Sequence, residues 1–207
     1  MTQARANGSF AYDHRVTDLS SQQNAAGQLF EEKRYAEALA AYTVLRKLRA
    51  RTEGRESIMY LSNLHSSVYC LNHLGRWDEA LPLIEELSTT RDRTIGPVNE
   101  STLDAKRWWV WCCAKTSDYA KASDIQIEIA DALYTTGDVE GAERAVATAV
   151  FYEGKASSAP TAEVVSKANN AQNSERLKSI AKKVGGGALT AGVSAAFEGV
   201  VGGFFGN

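Results

Sequence analysis

The sequence predicts an all-α protein, a stack of helical hairpins followed by a glycine-rich tail. Three observations carry that prediction. Apolar residues recur at spacings of three and four on both sides of a tight turn, Leu74-Gly75-Arg76-Trp77-Asp78-Glu79-Ala80-Leu81. Leu64, Val68 and Leu71 precede it, and Leu81, Ile84 and Leu87 follow, so each arm has one apolar stripe. The opening of the return arm then recurs along the chain, as Tyr35-Ala36-Glu37-Ala38-Leu39, Trp77-Asp78-Glu79-Ala80-Leu81 and Tyr119-Ala120-Lys121-Ala122. The aromatic stands at 35, 77 and 119, a step of 42 both times (77 − 35 and 119 − 77). Polar segments that contain glycine close the units. An aromatic followed three residues later by alanine has a physical logic: the ring wedges between two helices and the small side chain lets their backbones cross closely. Neither arm can bury its stripe alone, so each hairpin needs neighbours stacked on it.

Residues 1–18 mix Gly8, Ser9, Asp13 and Asp18 with Phe10 and Tyr12 and read as a flexible or loosely docked arm. The repeat region is 19–155. Ser20 or Ser21 caps a helix carrying Ala25, Ala26, Leu29 and Phe30, the return arm runs from Tyr35 to Arg49, and Arg51-Thr52-Glu53-Gly54-Arg55 is the linker. The second hairpin spans about Ser57 to Thr89. The third opens near Ser101 and carries Trp108, Trp109 and Trp111, three of the four tryptophans. Trp108 and Trp109 differ by about 100° around a helix, so the three cannot share a face: one or two belong to the core, and at least one points to a groove or contact surface. After Tyr119 the register changes, because Thr135-Thr136-Gly137-Asp138-Val139-Glu140-Gly141-Ala142 is a further turn only 20 residues on. Asp118 to Tyr134 then serves as return arm of one repeat and first arm of a half-repeat, with Val139 to Tyr152 capping the stack.

Ala156-Ser157-Ser158-Ala159-Pro160 marks a boundary, and 156–184 reads as a linker and a basic amphipathic helix. Within it Ser174 caps a stripe of Leu177, Ile180, Ala181 and Val184, while Arg176, Lys178, Lys182 and Lys183 lie largely elsewhere. Residues 185–207 hold half of the sixteen glycines and a single charge, Glu198. Gly187, Ala191, Ala195, Gly199 and Gly203 recur every four residues, a row of small side chains that lets helices approach closely. Leu189, Val193, Phe197, Val200 and Phe204 form a second, apolar stripe. A lone bilayer span comes out marginal: the apolar side chains contribute roughly −2 to −4 kcal/mol, against about +2 to +3.5 for Glu198 near mid-depth. Three readings of this tail stand: a disordered or self-docked end, self-association through the small row into a homo-oligomer, and membrane contact.

With 207 residues, 44 % of them apolar, the chain can bury one substantial core, and a net charge of −2 without a long acidic or basic block gives no electrostatic footprint for nucleic acid. The opening residues lead into polar sequence, not an apolar run, so no secretory signal is expected. Cys70, Cys112 and Cys113 make an odd count without metal-binding spacing, which argues against disulfides and zinc and for a reducing cytoplasm. Cys70 and Cys112 are themselves 42 apart, as two occupants of one small buried slot would be. His14, His65 and His73 are the only imidazoles, and no metal, phosphate-loop or nucleophile-elbow motif is present, so the expectation is a protein that is not an enzyme and carries no metal or cofactor.

The hairpin pattern resembles the tetratricopeptide repeat, and its 42-residue step resembles the longer kinesin-light-chain type. Arg93-Thr94-Ile95-Gly96-Pro97-Val98-Asn99-Glu100-Ser101-Thr102-Leu103 is similar to that family's linker of Gly-Pro, polar residues and then Thr-Leu opening the next helix. The resemblance covers about residues 20–155. It implies a right-handed superhelical stack whose inner face binds peptides or other proteins. Registering each hairpin on its aromatic turn, the first arms present Ser62, His65, Tyr69, Asn72 and His73 from the second repeat, and Asp104, Arg107, Trp111 and Lys115 from the third. Arg107 and Lys115 offer donors for a carboxylate or peptide carbonyl, while Tyr69 and Trp111 offer flat apolar anchors. Family members that clamp a C-terminal carboxylate have Asn where Tyr69 and Trp111 stand here. The expected function is an adaptor or scaffold that captures a partner segment, with the tail as tether or self-association element. The alternative is a membrane-acting effector whose glycine-rich end perturbs a bilayer under control of the repeats.

Overall fold

The three aromatics that set the 42-residue step each begin a helix. In a computed structural model, which describes residues 19–158 together with Glu175 and Ser179, α1 covers residues 19–31 and is followed by α2 (Tyr35–Thr52), α3 (Ile58–His73), α4 (Trp77–Ile95), α5 (Glu100–Lys115), α6 (Tyr119–Thr135) and α7 (Val139–Ser157). The arm at 1–18 and the proposed amphipathic helix at 174–184, apart from Glu175 and Ser179, lie outside the described residues. So do the tail residues Gly187, Ala191, Ala195, Phe197, Glu198, Gly199, Gly203 and Phe204. No helix among the described residues is long and apolar enough to cross a membrane.

Each aromatic, and Val139 at the start of α7, is preceded by the same turn. Lys33, Gly75, Ser117 and Gly137 all take positive φ, at 60°, 69°, 63° and 83°. In each case the next amide donates back five residues: Arg34 to Leu29 O, Arg76 to Leu71 O, Asp118 to Cys113 O and Asp138 to Leu133 O, at 2.8–3.0 Å. This closure satisfies carbonyls that the ending helix leaves unpaired, and it requires one left-handed residue. A second kind of turn, built on Gly54 (φ 92°) and Gly96 (φ 90°), joins α2 to α3 and α4 to α5. There Ser57 Oγ accepts the Tyr60 amide and Asn99 Oδ1 accepts the Ser101 amide, capping the helices that follow.

The return arms bury one repeating stripe. Ala38, Ala80 and Ala122 are each 0 % exposed, and seven residues further on Leu45, Leu87 and Ile129 are 1 %, 0 % and 3 % exposed. The stripe recurs in α7 as Ala142, Val146 and Ala149, all buried. Cys70 and Cys112 are both fully buried at equivalent places in α3 and α5, so the shared slot read from their spacing exists. Of the tryptophans in α5, Trp108 and Trp109 are core and Trp111 is half-buried, the split that their spacing demands.

The described chain divides into two compact units, one ending at Leu87 and one beginning at Ser88. In the first, the Tyr42 side chain hydrogen-bonds that of Ser66 across α2 and α3, and Tyr60 Oη donates to Glu86 Oε1 (2.6 Å) across α3 and α4. Arg55 pairs with the same carboxylate at 2.7 Å. In the second, Lys106 of α5 reaches Asp92 of α4 and Glu128 of α6, each at 2.9 Å, and Ser123 Oγ of α6 donates to Ala149 O of α7 at 3.0 Å. The Tyr60–Glu86 and Ser123–Ala149 bonds each join a residue near the start of one helix to one past the middle of the next, while Tyr42 and Ser66 meet at the middles of theirs. Such pairings are those of antiparallel neighbours, which short connections between sequential helices also favour.

Candidate protein-binding face

On α3, Ser62, His65, Tyr69 and His73 are spaced three, four and four apart and fall within one narrow strip of the helix. On α5, Asp104, Arg107, Trp111 and Lys115 repeat that spacing, each 42 residues after its counterpart. The rest of each helix is committed to packing: Leu61, Leu64, Val68 and Leu71 are buried on α3, and Leu103, Val110 and Cys113 on α5. The strip residues stay half-buried, with His73 and Lys115 at the helix ends exposed. Asn72 departs from the expected row, because it lies toward the packed side and is 7 % exposed.

In the first unit the α3 row borders an open pocket of about 260 Å³ lined by Phe30, Tyr42, Ser62, His65, Ser66 and Tyr69. Its walls are largely rings. Phe30 meets Tyr69 edge-on at 6.3 Å, and His65 leans on Tyr69 at 4.9 Å. Tyr42, its hydroxyl pushed up in pKa by burial, closes one side together with Ser66. Among the described residues that line the pocket none is an Asp, Glu, Lys or Arg. His73 is drawn instead into the wedge, where it stacks on Tyr35 at 4.1 Å and meets the edge of Phe30 at 6.3 Å. Sequence reasoning missed Phe30, Tyr42 and Ser66. The available signal was register: Phe30 stands 42 before Asn72 at the end of a first arm, and Tyr42 puts a large ring where the later return arms have Ile84 and Gln126.

The α5 row in the second unit is charged. Burial pushes the Asp104 carboxyl above the usual carboxylate range, against the opposing pull of Arg107 and Arg91. Arg107 Nη1 pairs with Glu100 Oε1 at 2.6 Å, so its guanidinium is held by a carboxylate from the first turn of its own helix. Lys115 Nζ sits 4.4 Å from the centre of the Trp111 ring, a cation–π contact that covers one face of the anchor. A carboxylate arriving here would have to compete with Glu100 for Arg107.

Chemistry beyond binding finds little support among these groups. Burial raises the Cys70 thiol to about 11 and Cys112 to about 12, so neither supplies a thiolate near neutral pH. Among the described residues no group of three or more His, Cys, Asp or Glu is placed to hold a metal ion.

Tight turns in constant register, wedge rings at the helix starts and alanine crossings make this a tetratricopeptide-like helical-repeat fold. No protein-family model matches the chain, and no curated protein matches it. Among solved structures, it is similar to a crystal structure of nearly identical TPR-like repeats of a kinesin light chain from Podosopora anserina. That likeness has 15 % identity and a TM-score of 0.47, and covers 92 % of this chain and 98 % of that one. A singly substituted form of the same repeats is similar at 16 % identity and a TM-score of 0.47, covering 89 % and 93 % of the two chains.

Proposed function

We propose that the chain is a non-enzymatic adaptor that captures a segment of another protein, the strip on α3 in the first unit and the strip on α5 in the second each acting as a contact surface of its own. The supporting observation is that Tyr69 and Trp111, two large rings, are kept out of the core at equivalent positions while polar and charged side chains flank them in matching register. Half-exposed aromatics beside hydrogen-bond donors are the side chains from which protein interfaces draw most of their energy. The α3 strip favours uncharged or aromatic partner side chains, and the α5 strip favours charged ones. In this reading the tail at 185–207 serves as tether or self-association element.

The test is affinity capture on immobilised full-length chain, repeated with Tyr69→Ala and with Trp111→Ala plus Arg107→Ala, each checked for unchanged helix content. A genuine partner loses about tenfold or more in affinity with each, since truncating an anchor ring costs about 2 kcal/mol. Partners held equally by all forms would refute the assignment. Capture should survive a chain stopped at Lys155, and self-association should not.

A further inference from the structure

Two guanidiniums of the first unit share a single carboxylate, and only one of them is bonded to it. Arg55, from the turn between α2 and α3, reaches Glu86 Oε1 on α4 at 2.7 Å, and Tyr60 Oη of α3 donates to the same oxygen at 2.6 Å. Arg55 also lies over the Tyr60 ring, 5.9 Å from its centre. The second guanidinium, Arg46, comes from α2. It lies within electrostatic reach of Tyr60, Glu86 and Arg55, yet its Nε is buried and nothing among the described residues accepts a hydrogen bond from it. Glu53, a carboxylate of the same turn, is already taken by Arg49 at 2.5 Å and by Ser57 Oγ at 3.2 Å. Burial holds the Arg46 guanidinium below its ordinary pKa, with Tyr60 and Glu86 pulling the other way. A cation withdrawn from water without an acceptor is costly, and an arriving acceptor would relieve that cost.

We infer that Arg46 and Arg55 form a clamp for one carboxylate of a partner protein, an Asp or Glu side chain. Donor shape and charge both select that class. A guanidinium presents paired N–H groups that match the two oxygens of a carboxylate. Arg46, Arg55 and Glu86 together carry a net charge of +1, two cations and one anion. One carboxylate neutralises that surplus, whereas a phosphate dianion would leave excess negative charge beside Glu86. The Arg55 side chain is 67 % exposed, so the clamp is open on its side. Arg107 on α5, the other donor suited to a carboxylate, is instead held by Glu100. The clamp uses none of the strip residues on α3 and adds an acidic side chain to what a partner segment must carry. That source of the carboxylate rests on the partner-capture reading; carboxylate binding itself does not.

Sodium acetate serves as the probe, titrated into the full chain against sodium chloride of equal ionic strength while the arginine Nε–Hε resonances are followed. The Arg46 resonance, identified by its loss in Arg46→Lys, should shift with half-saturation at about 10–80 mM acetate, the range that charge-assisted hydrogen bonds support. Chloride should not move it. Arg55→Gln removes a largely exposed side chain and should weaken acetate binding at least about fivefold. Glu86→Gln raises the surplus charge to two and should tighten it at least about threefold, a gain that a loosened fold would not give. No saturable shift, an equal shift with chloride, binding indifferent to Arg55→Gln, or no gain in Glu86→Gln would overturn the clamp. Tighter saturation by phosphate than by acetate would overturn its assignment to a carboxylate. The adaptor reading fails on a different result, a captured partner indifferent to Tyr69 and Trp111, so the two failures are told apart.

Discussion

Lys106 is the side chain on which the second unit should depend most visibly. Its side chain is 4 % exposed, yet its ammonium meets two carboxylates, Asp92 and Glu128, each at 2.9 Å and each from a different neighbouring helix. Burial alone would lower the pKa of this ammonium, but the hydrogen bonds to Asp92 and Glu128 outweigh it and hold the pKa above the ordinary 10.5. Replacing Lys106 with Met keeps the aliphatic stem and removes both bonds. The carboxylates are about one-third and two-fifths exposed, so water recovers part of their solvation and the loss falls below that of a fully buried pair. About 1.5–3 kcal/mol of destabilisation is expected at neutral pH, between the values for exposed and buried pairs. In a domain of this size that lowers the midpoint by about 3–12 °C. Tryptophan emission is the natural readout, since Trp108, Trp109 and Trp111 lie on the same helix as Lys106. The pH dependence provides an internal control. A raised lysine pKa contributes stability that is fully present below about 10.5 and is lost as pH rises through the higher folded value. The wild-type advantage over Lys106→Met should therefore hold from neutral pH to about pH 10 and shrink above it. A variant as stable as wild type at neutral pH, or a difference that does not narrow in strong alkali, would refute the reasoning.

Three other outcomes follow from the turns and the cysteines. Ser117→Gly should stabilise the chain by about 0.5–1 kcal/mol in urea unfolding, because Ser117 is strained in a left-handed backbone that Gly75 and Gly137 adopt freely in equivalent turns. Gly141→Ala should destabilise by about 0.5–2 kcal/mol despite alanine's higher helix propensity, since its methyl would collide with the Asp138 carboxylate that caps the Gly141 amide; urea unfolding measures this as well. All three thiols are buried, and those of Cys70 and Cys112 are raised to about 11 and 12, so a thiol-specific dye at about pH 8 should label the native chain far more slowly than the urea-unfolded chain. Rapid labelling of native protein would contradict the burial described.

What is legible in the chain by itself, and what is not, divides by how local its cause is. The wedge ring and its alanine sit three residues apart on one helix, so Tyr35, Trp77 and Tyr119 announce the repeat without knowledge of any partner helix. Glycine likewise marks the turns at 75 and 137, whereas Lys33 and Ser117 adopt the same left-handed backbone with side chains that carry no such mark. Helix ends slip for a related reason. The polar pattern places Arg51 and Thr52 in a linker and ends the second hairpin near Thr89, but the final turns of α2 and α4 run on to Thr52 and Ile95, because polar last turns cost little and leave no apolar trace. The pocket is the least legible feature, since Phe30, Tyr42 and Ser66 come from three helices and converge only after packing.

The change of register after Tyr119 shows how far turn chemistry alone can carry. Up to that point tight turns at 33, 75 and 117 alternate with the longer glycine turns at 54 and 96, so return arms and first arms are joined by different devices. At 137 the tight turn appears where the longer kind is due, with the same five-residue amide closure and Asp138 capping the next helix. α7 consequently opens as the return arms do, with Val139 in the place of the wedge ring and Ala142 fully buried three residues later. α6 is thus paired through tight turns on both sides, with α5 before it and α7 after it. The tight turn therefore forms without a large ring at the start of the following helix, and Val139 is left 44 % exposed where Tyr35 and Tyr119 are half-buried.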